Sequence, residues 1–215
     1  MRLFSPEKLW SRAVTYTWTV VLLAGFAAAG TSRLHAEPGL PNFGQVSKTL
    51  FRGAQPSEDG FRSLQHMGIT IVVNFRNDDE ATREKAAVEA LGMKYVAIPW
   101  SGRQNPSTPQ VVQFLDLVRD NPQAKIFVHC QRGADRTGTM VAAYRIVVEQ
   151  ASTKDAVGEM LRYHYAHFWL PQLERYVVSI PQLLKTDSSL SAYATGLPVP
   201  SPTRSAIATI VPVTP

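Results

Sequence analysis

The sequence predicts an α/β domain with a mostly parallel sheet and helices on both sides. Three observations predict it. Short apolar, β-branched runs alternate with longer stretches of helical period, the pattern of strands joined by crossover helices. One run, Ile69-Thr70-Ile71-Val72-Val73-Asn74-Phe75, is almost continuously apolar, as in a strand covered on both faces. Gly68 and Gly92 stand where two helical patterns stop, each just before the next apolar run.

The elements follow in order. Residues 51–56 read as a strand ending at Pro56, and residues 58–67 as a helix stopped by Gly68. Residues 69–75 are the buried strand. Asn77 and Glu80 make a capping-box-like start for a helix running to Leu91. Residues 93–99 are the next strand. Thr108 and Pro109 open a helix to Asp120, with proline at its first position; Asp116 and Asp120 read as its solvated face. Residues 126–129 form a strand, and residues 137–150 a helix. Ser152 and Asp155 start another helix to about Tyr165, and residues 173–184 make the last. No internal repeat is visible. In such folds ligands bind beyond the carboxyl ends of the strands, and the residue after His129 lies at such an end.

That residue is Cys130, the only cysteine in 215 residues. It opens the run Cys130-Gln131-Arg132-Gly133-Ala134-Asp135-Arg136-Thr137-Gly138 between a strand and a helix. A loop there turns backbone N–H groups inward and makes an anion cradle, which spans Gln131 to Arg136. The helix dipole and Arg136 favour negative charge at its centre and so favour the nucleophilic thiolate. Arg136 can grip two phosphate oxygens at once. Gly133 suits a tight turn or a close backbone approach. Thr137 places a hydroxyl near the sulfur. His129 reads as a buried residue that hydrogen-bonds the loop.

The pattern H-C-x-x-G-x-x-R-T-G resembles the signature of cysteine-dependent protein tyrosine and dual-specificity phosphatases. Leu50-Phe51-Arg52-Gly53-Ala54-Gln55-Pro56-Ser57, followed by Val72-Val73-Asn74-Phe75-Arg76, is similar to the compact atypical dual-specificity phosphatases of bacteria, plants and fungi. The resemblance covers residues 45 to 170. It implies a protein tyrosine phosphatase-like fold, with a sheet of four or five strands. It also implies Cys130 as a nucleophile that forms a thiophosphoryl intermediate, Arg136 as phosphate clamp, and Thr137 as the hydroxyl assisting breakdown of that intermediate. The substrates it implies are phosphotyrosine, phosphoserine or phosphothreonine in protein, or phosphoinositides and inositol phosphates.

One departure stands out. The family's general acid is an aspartate on an upstream loop, but residues 98–106 contain no carboxylate. Asp135, inside the loop, is one alternative, since a G-x-D-R pattern is similar to that of the myotubularin lipid phosphatases. The same aspartate could instead pair with an arginine and fix the loop. Asp78, Asp79 and Glu80 form a second acid group, or simply an acid-rich helix start. The missing acid also leaves open a phosphate-binding module with weak turnover. A rhodanese-like sulfurtransferase shares the Cys loop before a helix, but the Arg-Thr-Gly exit argues against it.

The net charge of +5 lies mainly at the ends. Residues 37–186, the predicted phosphatase domain, carry 17 Lys+Arg against 15 Asp+Glu, which argues against a nucleic-acid partner. Arg76, Arg103 and Arg132 follow predicted strand ends and suit a polyanionic substrate. One cysteine and scattered histidines make no zinc site, and no cofactor is expected. Residues 1–36 read as a signal peptide or membrane anchor: Arg2, Lys8 and Arg12 precede an uncharged stretch over residues 13–32. The domain is then expected outside the cytoplasm, in a bacterial periplasm, free after cleavage or anchored by one span. A lone thiol suits that oxidising space. Residues 187–215, rich in Ser, Thr, Pro and Ala with almost no charge or aromatic residue, read as a disordered tail.

Overall fold

A computed structural model describes residues 37–194 except Asp79, with the backbone but not the side chains of residues 80–82 and 194. The predicted leader, residues 1–36, lies outside the described residues, as do residues 195–215. Among the described residues no helix is long and apolar enough to cross a membrane.

The strands are β1 (Gly44–Gln45), β2 (Leu50–Gly53), β3 (Ile69–Asn74), β4 (Lys94–Ala97) and β5 (Lys125–His129). The helices are α1 (Glu58–His66), α2 (Glu80–Ala90), α3 (Thr108–Asp120), α4 (Asp135–Val147), α5 (Thr153–Arg162), α6 (Pro171–Thr186) and α7 (Ser188–Ala194). The sheet order is β1-β2-β5-β3-β4, with β1 antiparallel to β2 and every other pairing parallel. The α/β class and the flanked, mostly parallel five-stranded sheet are as the sequence led us to expect.

Alternation along the strands divides the core. Ile71, Val73, Ile126 and Val128 face a large cluster with α3, α4, α5, α6 and α7. Val72 and Phe127 face a smaller one with α1 and α2. Local chemistry sets the helix starts. Ser57 caps α1 by accepting from the N–H of Gly60 at 3.2 Å, and Ser152 caps α5 from Asp155 at 3.1 Å. Ser107 and Gln110 form a capping box on α3, with Pro109 in its first turn. Gly68 and Gly92 end helices with φ of +78° and +75°.

Three expectations need correcting. First, α4 begins at Asp135, two residues before the predicted start, so Arg136 belongs to the helix's first turn. Second, of the segment 187–215 read as a disordered tail, Ser188–Ala194 form α7, and residues 195–215 lie outside the described residues. There Leu190 is 1% exposed, and the Tyr193 hydroxyl donates to the Asp116 carboxylate. Third, Asp116 is therefore buried rather than on a solvated face, because α7 covers it. The short edge strand β1 was not foreseen.

Candidate active site

Register brings the carboxyl ends of four strands to one rim. Gly53 pairs with His129, His129 with Asn74, and Asn74 with Ala97. Cys130 follows the central strand β5 at that rim and is 2% exposed. It lies at the floor of a cleft of about 460 Å³. The walls come from the loop (Gln131, Arg132, Asp135, Arg136), from Asn77 after β3, and from Ser101, Gly102 and Arg103 after β4.

The carbonyls of residues 131–134 are all held by protein donors. Gln131 O accepts from the N–H of Gln55 at 3.2 Å, and Arg132 O from the Asn42 side chain at 3.0 Å. Gly133 O accepts from the Arg52 guanidinium at 2.9 Å, and Ala134 O from the N–H of Gly138 at 2.8 Å. No N–H of residues 131–136 donates to a protein acceptor among the described residues. Peptide planarity links the two facts: a carbonyl held on one side leaves the following N–H on the other. Such an arrangement at the N-terminus of α4 can hold an anion. Gly133 is required twice over. Its φ is +66°, and an added Cβ would lie 2.4 Å from the carbonyl of Gly53.

Arg136 is held by one nitrogen. Its Nη1 donates to Phe75 O at 3.2 Å, Trp100 O at 3.3 Å and Asn77 Oδ1 at 3.2 Å. Its Nε and Nη2 make no such bond among the described residues, which leaves them for two phosphate oxygens. The Thr137 hydroxyl is buried with no partner among the described residues, close after the cradle.

Asp135 lines the cleft, and among the described residues it is the sole carboxylate to do so. Its Oδ2 is 2.5 Å from Nη2 of Arg132, and its Oδ1 accepts from the N–H of Ala166 at 3.0 Å. It therefore also ties the turn after α5 to the loop. Asp78 is not brought to the cleft; it pairs with Arg76 at 2.9 Å. Arg76 also donates to Gln55 and does not line the cleft. Asp79 and the Glu80 side chain lie outside the described residues. Among the described residues no group of His, Cys, Asp and Glu is arranged to hold a metal ion.

Three buried charged groups, Arg52, Glu159 and Glu84, escaped the sequence reading. Arg52 is 0% exposed beneath the loop. Besides Gly133 O it meets Glu159 at 3.5 Å and packs its guanidinium 3.7 Å over the Tyr163 ring. Burial pushes its pKa down to about 10, against the pull of Glu159. Glu84 of α2 is buried too. It joins His129 Nε2 at 2.7 Å, the Asn74 amide at 2.6 Å and the Gln55 amide at 3.1 Å. His129 thus bonds to α2 beneath the rim. The one sequence signal for Arg52 was a charge set between Phe51 and Gly53 in a strand.

The family model described as DSP-PTPase phosphatase fused to NAD+ kinase matches residues 37–173. The dual specificity protein phosphatase TpbA of Pseudomonas aeruginosa (strain UCBPP-PA14) is 28% identical over 121 residues, 56% of this chain and 54% of that protein. The chain thus spans about half the length of the curated relatives it matches. The crystal structure of P. aeruginosa TpbA in complex with pTyr superposes with a TM-score of 0.59 at 23% identity, covering 70% of this chain and 91% of that one. The core catalytic domain of the PP-IP phosphatase SIW14 from S. cerevisiae, in complex with citrate, gives 0.57 at 18% identity, covering 70% and 96%. At these identities the two structures speak for the fold.

Proposed function

Since the chain belongs to the DSP-PTPase phosphatase family, we propose that it is a cysteine-dependent hydrolase of phosphoric monoesters. The observation that carries this reading is the cradle: carbonyls held by protein donors, N–H groups with no protein acceptor among the described residues, and a two-nitrogen fork on Arg136, beside one buried thiol. The TpbA complex with pTyr and the PP-IP phosphatase SIW14 both point to a phosphorylated substrate. A phosphorylated protein side chain suits the first, and an inositol phosphate or phosphoinositide the second.

The chemistry balances on this chain's own groups. The Cys130 sulfur attacks phosphorus while the cradle and Arg136 bind the equatorial oxygens, whose charge they stabilise. The ester P–O bond breaks, and the leaving oxygen takes a proton from Asp135. Water then attacks the thiophosphoryl group, giving its proton to Asp135. The P–S bond breaks, and the Thr137 hydroxyl donates to the departing thiolate. Asp135 Oδ2 is the oxygen to carry the proton, because Oδ1 stays on the Ala166 amide. Arg132 must then turn from Asp135 to the phosphate.

Phosphate release from an aryl phosphate by residues 37–194, beside the Cys130→Ser variant, tests the reading. Release that falls to background with serine supports it. No release from a folded wild-type sample would instead make the cleft a phosphate-binding module, a reading that Asp135's engagement with Arg132 and Ala166 favours. We further propose that residues 1–36 carry the domain to the periplasm, free or anchored. Their charge pattern supports this, and fractionation of the expressing cell checks it.

A further inference from the structure

A second cleft of about 650 Å³ adjoins the first. It is walled by Arg103, Arg132, Ala166, Trp169, Leu170 and Gln172, and shares Arg103, Arg132 and Leu170 with the nucleophile's cleft. The two form one trough from Cys130 to Trp169. The turn that carries Trp169 is well fastened. Asp135 takes its Ala166 amide, the N–H of Trp169 returns to Ala166 O at 2.9 Å, and Gln172 donates to Arg103 O at 3.1 Å. The Tyr165 hydroxyl donates to Leu170 O and accepts from the N–H of Glu174 at 3.1 Å.

On this fastened turn Phe168 is 84% and Trp169 85% exposed. Burying such a ring is favourable, so folding alone gives no reason to leave both in water. Arg103 is exposed as well, and no carboxylate among the described residues pairs with it. An unpaired cation between a phosphate cradle and an open aromatic ring asks for a ligand with an anion and an apolar group at successive places.

We propose that this second cleft docks the polypeptide flanking the phosphorylated residue, taking an acidic side chain on Arg103 and an apolar one on Trp169 and Leu170. The proposal rests on the phosphatase reading and names its substrate class as phosphoprotein. Charge complementarity and the trough's continuity with the nucleophile's cleft argue for an extended chain. A bilayer is met by an apolar face with cations on the polar face beside it. Here both arginines line the trough.

The test compares kcat/KM for two phosphotyrosine peptides of equal length, one with acidic and leucine flanks and one with lysine and glycine flanks, beside 4-nitrophenyl phosphate. The acidic peptide is expected to be the better substrate by about tenfold or more. Trp169→Ala raises KM for it by about tenfold and leaves 4-nitrophenyl phosphate unchanged. Arg103→Glu reverses the ranking of the two peptides. Equal rates on the two peptides overturn the proposal, as does a Trp169→Ala loss shared equally by the aryl phosphate. A preference for phosphoinositide vesicles that vanishes with Trp169→Ala would overturn it in favour of a lipid surface. Wild-type protein that hydrolyses nothing overturns the phosphatase reading alone. Calorimetric titration of both peptides into Cys130→Ser then still decides whether the trough discriminates.

Discussion

At the scale of single residues, Gly133 and its partner Arg52 shape the cradle together. Gly133→Ala brings a Cβ into the backbone of Gly53 and Ala54 and forces a left-handed φ on alanine. The expected cost is about 2 kcal/mol or more in denaturant unfolding, with binding of phosphate or vanadate lost. Arg52→Met should behave differently. Glu159 keeps Arg145 at 2.8 Å, so no buried carboxylate is left unpaired, and the burden of burying Arg52's charge goes. Stability is expected to change by less than about 2 kcal/mol while kcat/KM falls at least about tenfold, because the Gly133 carbonyl loses its donor. Asp135→Asn decides that residue's role. If it is the acid, turnover falls by about a hundredfold or more for alkyl phosphates and little for 4-nitrophenyl phosphate. Equal losses leave it the fastener of Ala166. Cys130, Gly133 and Arg136 were legible because their geometry sits within seven consecutive residues. Arg52 was not, because its partner carbonyl lies 81 residues away.

Among the elements, α7 is the one whose role the sequence concealed. Seven residues without charge, rich in serine and alanine, look like tail by composition. Their structure depends on Leu190 entering the core and on Tyr193 meeting Asp116, 77 residues earlier. No local pattern encodes such pairings. Burial next to that carboxylate pushes the Tyr193 pKa well above its usual value. A chain ending at 187 should therefore lose about 2–4 kcal/mol by denaturant midpoint, since it uncovers Leu190's site and leaves Asp116 to Arg119 alone. Tyr193→Phe keeps the ring and should cost about 1 kcal/mol. The longer elements were legible because starts and stops announce them: Thr108, Pro109, Ser152, Gly68 and Gly92 all stand where the helices begin or end. β1, of two residues, is too short to show a period.

For the whole molecule, the alternation of strands and helices announced the class, but the order β1-β2-β5-β3-β4 was written in no single segment. It is held partly by polar groups. Glu84 ties α2 to Asn74 on β3, to His129 on β5 and to Gln55 after β2, so one carboxylate spans three of the parallel strands. Glu84→Ala leaves the Asn74 and His129 donors without their acceptor, and should cost about 3 kcal/mol by denaturant unfolding, with activity lost in proportion. The position of β5 has a further consequence, in time rather than in space. Phe127 is flanked by Phe51 on one side and Val72 on the other, both from far earlier in the chain. Closing such distant pairings is slow. A chain caught before both neighbours have docked already carries its thiol, but has nothing to hold a phosphate over it. During refolding from denaturant, the ability to bind vanadate should therefore return with the last kinetic phase, however early the helices form.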